Sequence, residues 1–484
     1  MMRTASLGTL RIVVSMLGGI LASAGVLAQP PAVSAPSAAD SREYLVAPSI
    51  PYGSRISRVM RLLATSTPEH KHRVRILFYG QSITGGWTDI VLKDLRVRFP
   101  NADIIAENHA IGGFSAPWLS QTAEVDLYPW YPDLLFIQDY GALDPAMERM
   151  YAAVRNRTTA EVLAFTHHLD TGSKTEALDK NNAESAKIRE LSEKYGYEVV
   201  DIRPSWRKYL ALHHMDRKEL LTDGTHLKPN GVALMASMVI PHLRYDPQQQ
   251  PAGPDRVRYY GAEGRLLKGS FDDARAIALT RPLRFELEGC RVDVAAAADG
   301  KFGTAKILID GKKPSAFREM YAATRANSAP GSWFPAIRCF ELGEGVVPEN
   351  WELTITRIND KCTEFEYEVK GSATGPDGKG NSKEKFTSNS GRLIIQPQTS
   401  CFEAAHQIFK KPVPIGLKVV WSVYGTFLDE WKPRKIADPA KENLYTLAQG
   451  LPNGKHVLEI TPNGDGDLPV RYLVVYQPMP PAGW

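Results

Sequence analysis

The chain has 484 residues, 43% of them hydrophobic and 23% charged, with a formal net charge of +4. That is more than one hydrophobic core normally supports, so at least two folded regions are expected. Two of the positive charges, Arg3 and Arg11, fall in an apolar leader, and no dense Lys/Arg run with interleaved aromatics occurs elsewhere, which argues against nucleic acid as a partner.

The first 28 residues have a basic start, an apolar run from Ile12 to Leu27 and Val26-Leu27-Ala28 before Gln29. This pattern is that of a secretory signal cleaved after Ala28, leaving a secreted or periplasmic chain. Residues 29–50 read as a linker rich in Pro, Ala and Ser, and no later segment is long and apolar enough to span a bilayer. Next comes a helix over Ser54–Ala64, then the strand Val74–Tyr79 running into Gly80-Gln81-Ser82-Ile83-Thr84 and a helix over Thr88–Phe99. Strands Ala102–Glu107, Asp133–Asp139, Ala160–Thr166 and Glu198–Asp201 follow, separated by helical stretches near Trp118–Glu124, Met147–Arg155 and Ala183–Tyr195, with a closing helix over Asn230–Ile240. Alternation of this kind implies an α/β fold, a parallel sheet covered on both faces in three α/β/α layers over residues 51–245.

A Pro/Gln-rich linker over 246–256 then separates this region from 257–484, where the apolar period becomes two. Arg284–Glu288, Ala305–Ile309, Trp351–Thr356, Glu364–Val369, Gly416–Tyr424 and Lys455–Ile460 alternate or nearly so, with turn signals at Asp310-Gly311, Asn359-Asp360 and Asn453-Gly454. The pattern implies an all-β sandwich with Ser372–Ser390 as a polar, solvated loop. Trp333, Trp421 and Trp431 are expected in its core, with a carbohydrate platform as the other reading. All four cysteines, Cys290, Cys339, Cys362 and Cys401, lie here. They form no CxxC pair, which argues against structural zinc, and export makes one or two disulfides an expectation.

Ser82 falls between a buried strand and a helix start, where a side chain faces solvent at the sheet's carboxyl edge and unpaired backbone N–H groups can hold a developing negative charge. Taken alone it is an ordinary βα loop serine. A serine hydroxyl attacks an ester only when a base takes its proton and an acceptor orients that base. Asp223-Gly224-Thr225-His226, just before the closing helix, offers both on a loop expected at the same edge. His167-His168, after the fourth strand, has no clear ligand cluster nearby and is not read as a metal site.

Together these segments resemble the SGNH (GDSL-type) hydrolases. Gly80–Thr84 is similar to their GDSIT first block, Asn108-His-Ala-Ile-Gly-Gly113 to their N-x-x-x-x-G second block, and Asp223–His226 to their DGxH last block. The resemblance covers about Val74–Leu243. It implies Ser82 as nucleophile, His226 as base and Asp223 as its orienting acceptor, with the Ser82 and Gly113 N–H groups in the oxyanion hole and no metal or organic cofactor. Gln81 stands where the family has aspartate. The third block, G-x-N-D, has no counterpart in Gln138-Asp139-Tyr140-Gly141-Ala142-Leu143-Asp144, and Gln138 is the candidate for the missing amide donor. Trp87, His109, Phe114 and Trp118 flank these loops and are candidates to line a sugar-binding cleft, with core or rim packing as the other reading. Exported members joined to β-sandwiches are often polysaccharide acetylesterases, which implies an acylated carbohydrate substrate. A lipase or arylesterase on small esters and a carbohydrate-binding protein with weakened catalysis are the alternatives.

Overall fold

Strand β1 (Arg73–Gly80) lies between β2 (Asp103–Asn108) and β3 (Leu134–Gln138), and β4 (Glu161–Phe165) and β5 (Glu198–Val200) complete a five-stranded sheet in the order β2-β1-β3-β4-β5. All four pairings are parallel, as the alternating pattern predicts. The computed structural model describes residues 43–171, 174–249, 255–267 and 276–479, the side chains of 174–180 excepted. The leader with its cleavage site after Ala28, most of the linker expected over 29–50, and residues 250–254 of the linker expected over 246–256 lie outside the described residues.

The period of two decides which helices cover which face. Val74, Ile76 and Phe78 of β1 and Leu134 and Phe136 of β3 enter one core. There they meet α1 (Ser57–Thr65), α2 (Trp87–Arg98), α6 (Ile202–Leu212) and α7 (Pro229–Val239). Leu77, Tyr79, Leu135 and Ile137 enter the other, against α3 (Ala116–Asp126), α4 (Pro145–Arg157) and α5 (Lys174–Tyr195). Helix α6 was not read from the sequence, although its buried Ile202, Trp206 and Leu210 recur every four residues. Pro204 and the Arg207-Lys208 pair obscure that stripe. At Gly80, where β1 ends, an added Cβ would lie 2.0 Å from the Gln138 carbonyl oxygen and 2.6 Å from Thr84 Oγ1. Only glycine lets the Ser82 loop turn this close to β3.

The second half is antiparallel throughout its sheets. A seven-stranded sheet includes Leu283–Ala296, Ala305–Ile309, Asn443–Pro462 and Pro469–Tyr476, and a five-stranded sheet includes Glu349–Ile358, Phe365–Gly371 and Lys418–Gly425. A three-stranded sheet and helix α8 (Phe402–Phe409) share a core with the five-stranded one. Both large sheets bury one side against the α/β layers: Tyr472 and Val474 join the α2/α7 core, while Trp351, Leu353 and Trp421 join the α3/α4 core. The described residues from Tyr44 onward accordingly form one compact unit. Tyr44, inside the segment expected as linker, is buried and hydrogen-bonded to Ser237 of α7.

Three expectations are corrected here. Ser372–Ser390 is not a solvated loop: Gly375–Asn381 pairs with Phe365–Gly371, and Asp377 is buried, accepting from the Ser390 N–H and hydroxyl. Its sequence, GPDGKGN, carries no apolar residue, so the neighbouring strand supplies the order that propensity does not. All four cysteines are free thiols, so the expected disulfides are not formed. Trp421 and Trp431 are buried in the core as predicted, whereas Trp333 is exposed.

Candidate active site

The carboxyl edge of the sheet brings together three loops. The first follows β1 and carries Ser82. The second follows β2 and carries Asn108 to Gly113. The third, before α7, carries Asp223 and His226. With its Nδ1 protonated, the His226 ring donates to Asp223 Oδ2 at 2.7 Å, leaving Nε2 to accept from the Ser82 hydroxyl at 2.9 Å. The Ser82 proton has a second acceptor, Gln81 Oε1, at 3.1 Å. The histidine side chain is 48% exposed and the aspartate side chain 57%, so the relay stands open at the rim.

Local chemistry shapes the third loop. Asp223 Oδ1 accepts from the Thr225 and His226 N–H groups at 3.1 and 2.9 Å, an Asx-type turn that sets the ring in front of the carboxylate. The His226 N–H, the His226 ring and the Thr225 N–H, in that order, all favour the charged form and hold the Asp223 carboxyl down at about 2. The loop ends are pinned by the Thr222 N–H on His226 O and the Lys228 N–H on Leu220 O, at 2.8 and 2.9 Å. Beneath it His168, buried, sits with Nε2 at 2.8 Å from Thr225 O, and the Thr171 N–H donates to Gly224 O at 2.7 Å. Burial holds the His168 imidazole down at about 4, so it is neutral and Nε2 carries the donating proton. The histidine pair therefore serves structure: His168 supports the loop that presents His226, and His167 Nε2 lies 3.0 Å from Glu184.

The second loop is tied to the first. Asn108 Nδ2 donates to Thr84 O at 2.8 Å, and the Ile111 N–H donates to Gly80 O at 2.9 Å. Gly113 sits at φ +84°, a conformation that favours glycine, and the Phe114 N–H closes the turn on Ile111 O. A carbon added at Gly112 would touch Ser82 Cβ at 3.4 Å, so this turn lies directly beside Ser82.

Of the residues read from sequence as oxyanion or cleft groups, Gln138, Trp87 and Phe114 are buried, while His109 and Trp118 are partly exposed and engaged in local contacts. Gln138 is 1% exposed, and its Oε1 accepts from Gln81 Nε2 and Thr84 Oγ1 at 3.3 and 3.2 Å. It braces the Gln81–Thr84 turn from below instead of reaching the rim, because the last residue of β3 points into the α/β interior. Trp87 is 0% exposed, with its indole N–H on Ile83 O at 2.7 Å, and Phe114 is buried against Trp118 and Phe334. The His109 ring nitrogens lie 2.9 Å from Asp126 O and 2.6 Å from Glu107, so the ring is engaged on both sides. Trp118 is partly covered by the Arg338 guanidinium, 4.5 Å from its centroid, and by Phe334.

Residues far along the chain cover this loop cluster. Arg325, Trp333, Phe334 and Arg338 of the β half reach, respectively, Asp126, Gly112, Phe114 and Gln121. No local sequence signal marks them, because each acts through a contact some 200 residues distant. At the opposite end of β1, His70, His72 and Glu442 place ligand-type atoms within 4.8 Å of one another. The Glu442 oxygens there already accept from the Arg73 N–H and the Tyr472 hydroxyl, at 3.0 and 3.1 Å.

No family model matches the chain, and no curated protein matches it. Among solved structures it is similar to a two-domain esterase active on acetylated mannans, co-crystallised with mannopentaose. The identity is 14%, 87% of this chain and 94% of that one are covered, and the TM-score is 0.34. It is also similar to Axe2, an acetylxylan esterase from Geobacillus stearothermophilus, at 14% identity over 37% of this chain and 97% of that one, with a TM-score of 0.33.

Proposed function

We propose that the chain is an exported serine esterase of the SGNH type that removes an O-acyl group, acetyl in the first instance, from a carbohydrate. The observation that carries this reading is the continuous hydrogen-bond relay from Ser82 through His226 to Asp223. Ser82 Oγ attacks the ester carbonyl as His226 Nε2 takes its proton, and the Asp223 carboxylate stabilises the imidazolium. The Ser82 and Gly113 N–H groups receive the oxyanion. Collapse expels the sugar hydroxyl with the proton returned from His226, leaving an acyl-serine. Water, deprotonated by the same imidazole, then releases the carboxylic acid. The half-exposed relay suits a substrate whose alcohol portion is large and hydrated.

One feature favours a weaker enzyme. With Gln138 turned inward, the amide donor of the family's third block has no replacement from that residue, and a missing donor costs ~3 to 4 kcal/mol of transition-state stabilisation. Acetate release from p-nitrophenyl acetate, wild type against Ser82→Ala, decides between the readings. Serine-dependent release is expected, and equal background rates would leave a carbohydrate-binding protein. N-terminal sequencing of the exported protein, expected to begin at Gln29, tests the leader.

A further inference from the structure

Trp333 is 58% exposed, yet it is fixed from three directions. Its indole N–H donates to Gly112 O at 2.8 Å, the Phe409 ring meets it edge-on at 4.6 Å between centroids, and Phe334 lies at 6.1 Å. A carbon placed on Gly112 would touch both the indole nitrogen, at 3.3 Å, and Ser82 Cβ, at 3.4 Å. Ser82 and an open aromatic ring therefore both lie against a single glycine, and the ring belongs to the other half of the chain. Apolar surface held open to water is unfavourable until something covers it, and a ring already immobilised loses little further freedom on binding.

We propose that Trp333 is a sugar-stacking platform for the ester site. It takes a pyranose ring whose C–H face lies on the indole while an O-acyl substituent of the same sugar reaches Ser82. This rests on the serine-esterase reading above. A pyranose suits an open indole because it offers an apolar face and keeps its hydroxyl edge in water, whereas a long acyl chain calls for an enclosed apolar channel. Trp333 touches no reacting atom; it determines specificity.

Two measurements on the full chain test this. The first compares wild type, Trp333→Phe and Trp333→Ala on p-nitrophenyl acetate and on acetylated xylo- and mannooligosaccharides. For Trp333→Ala the loss of kcat/KM on an oligosaccharide should exceed that on p-nitrophenyl acetate by about tenfold, mainly through KM, with Trp333→Phe intermediate. Equal losses on both substrate types would overturn the proposal, leaving Trp333 as a brace for the Gly112 turn. So would unaltered oligosaccharide kinetics, or no cleavage of any oligosaccharide by a wild type that cleaves the small ester. The second titrates Ser82→Ala with the same oligosaccharides and follows tryptophan fluorescence. A saturable change that disappears in Ser82→Ala/Trp333→Ala is expected, and its absence from the parent would overturn the platform. If this binding persists while wild type shows no serine-dependent ester cleavage, the platform stands and the esterase reading falls.

Discussion

Arg325 forms a forked ion pair with Asp126, its Nε 2.9 Å from Oδ1 and its Nη2 2.7 Å from Oδ2, and Nη2 also donates to His109 O at 3.0 Å. One guanidinium from the β half thus holds both the end of α3 and the start of the Gly113 loop. Asp126 is buried, so removing its partner leaves a carboxylate with little access to water. Arg325→Met should cost about 2 kcal/mol, discounted because Arg325 is itself about one-third exposed, and should lower kcat on p-nitrophenyl acetate by loosening the second loop. Arg325→Lys should not restore activity, since a single ammonium cannot make the fork. Thermal melts and steady-state kinetics read both effects.

Ser82→Ala and His226→Ala should each lower kcat/KM by about 10³-fold or more, and the double variant should be no worse than either alone, because the two act as one unit. Asp223→Asn should keep the fold and lose activity across the whole pH range. With the carboxyl held at about 2, wild-type Asp223 stays ionised from neutral pH down to about 3, so the acid limb of the pH–rate profile should not come from this residue. Recovery of Asp223→Asn activity at any pH between about 4 and 9 would contradict its role in orienting His226.

His168→Phe keeps an aromatic ring in place but deletes the donor to Thr225 O. The expected result is a fall in kcat of about fivefold to tenfold with little change in KM, as His226 is presented less precisely to Ser82. The same residue predicts a pH effect on stability. Its native pKa is depressed to about 4, so between that value and the ordinary histidine value near 6.5 the unfolded chain binds more protons than the native one. Wild type should therefore lose about 3 kcal/mol as pH falls from about 6.5 to 4, a loss absent from His168→Phe. Urea melts across that range measure it.

Glu442 links the β half to the start of β1. Burial alone would raise its pKa, but His70, His72 and the Arg73 N–H outweigh burial and hold it at about 2. A depressed carboxyl stabilises the native state above its unfolded value, near 4.3, and loses that contribution as pH falls towards 2. Glu442→Gln should melt below wild type at pH 6, and the gap should fall to about half by pH 3 and close only below about pH 2. A gap that stays constant with pH would assign the residue a purely steric role.

Gln138→Ala should slow turnover several-fold by leaving Gln81 and Thr84 with a buried partner missing. Because the side chain braces Gln81 and Thr84 in the buried turn, the same variant should also melt lower. A loss of rate with an unchanged melt would instead point to a direct role at the oxyanion.

The strands and helices of the α/β half were legible because their apolar periods are local, and Ser82, Asp223 and His226 stood out as candidates because the SGNH blocks they resemble are each only a few residues long. Helix α6 and the Gly375–Asn381 strand were missed for opposite reasons: one hides a helical stripe behind Pro204 and basic residues, the other has no stripe at all. Trp87 and Gln138 were misplaced because a loop-flanking position does not say whether a side chain turns outward or in.

By itself the sequence determined the wound parallel sheet and the antiparallel second half, since both follow from spacings of two to four residues, and it offered Ser82, Asp223 and His226 as relay candidates through the SGNH blocks they resemble. Tertiary structure alone decided that Ser82, His226 and Asp223 meet at hydrogen-bond distances, that Gln138 faces inward, and that Arg325 and Trp333 reach the loops around Ser82. Those outcomes depend on packing between segments hundreds of residues apart, where close-packed interiors fix a side chain's direction and no periodicity along the chain records it.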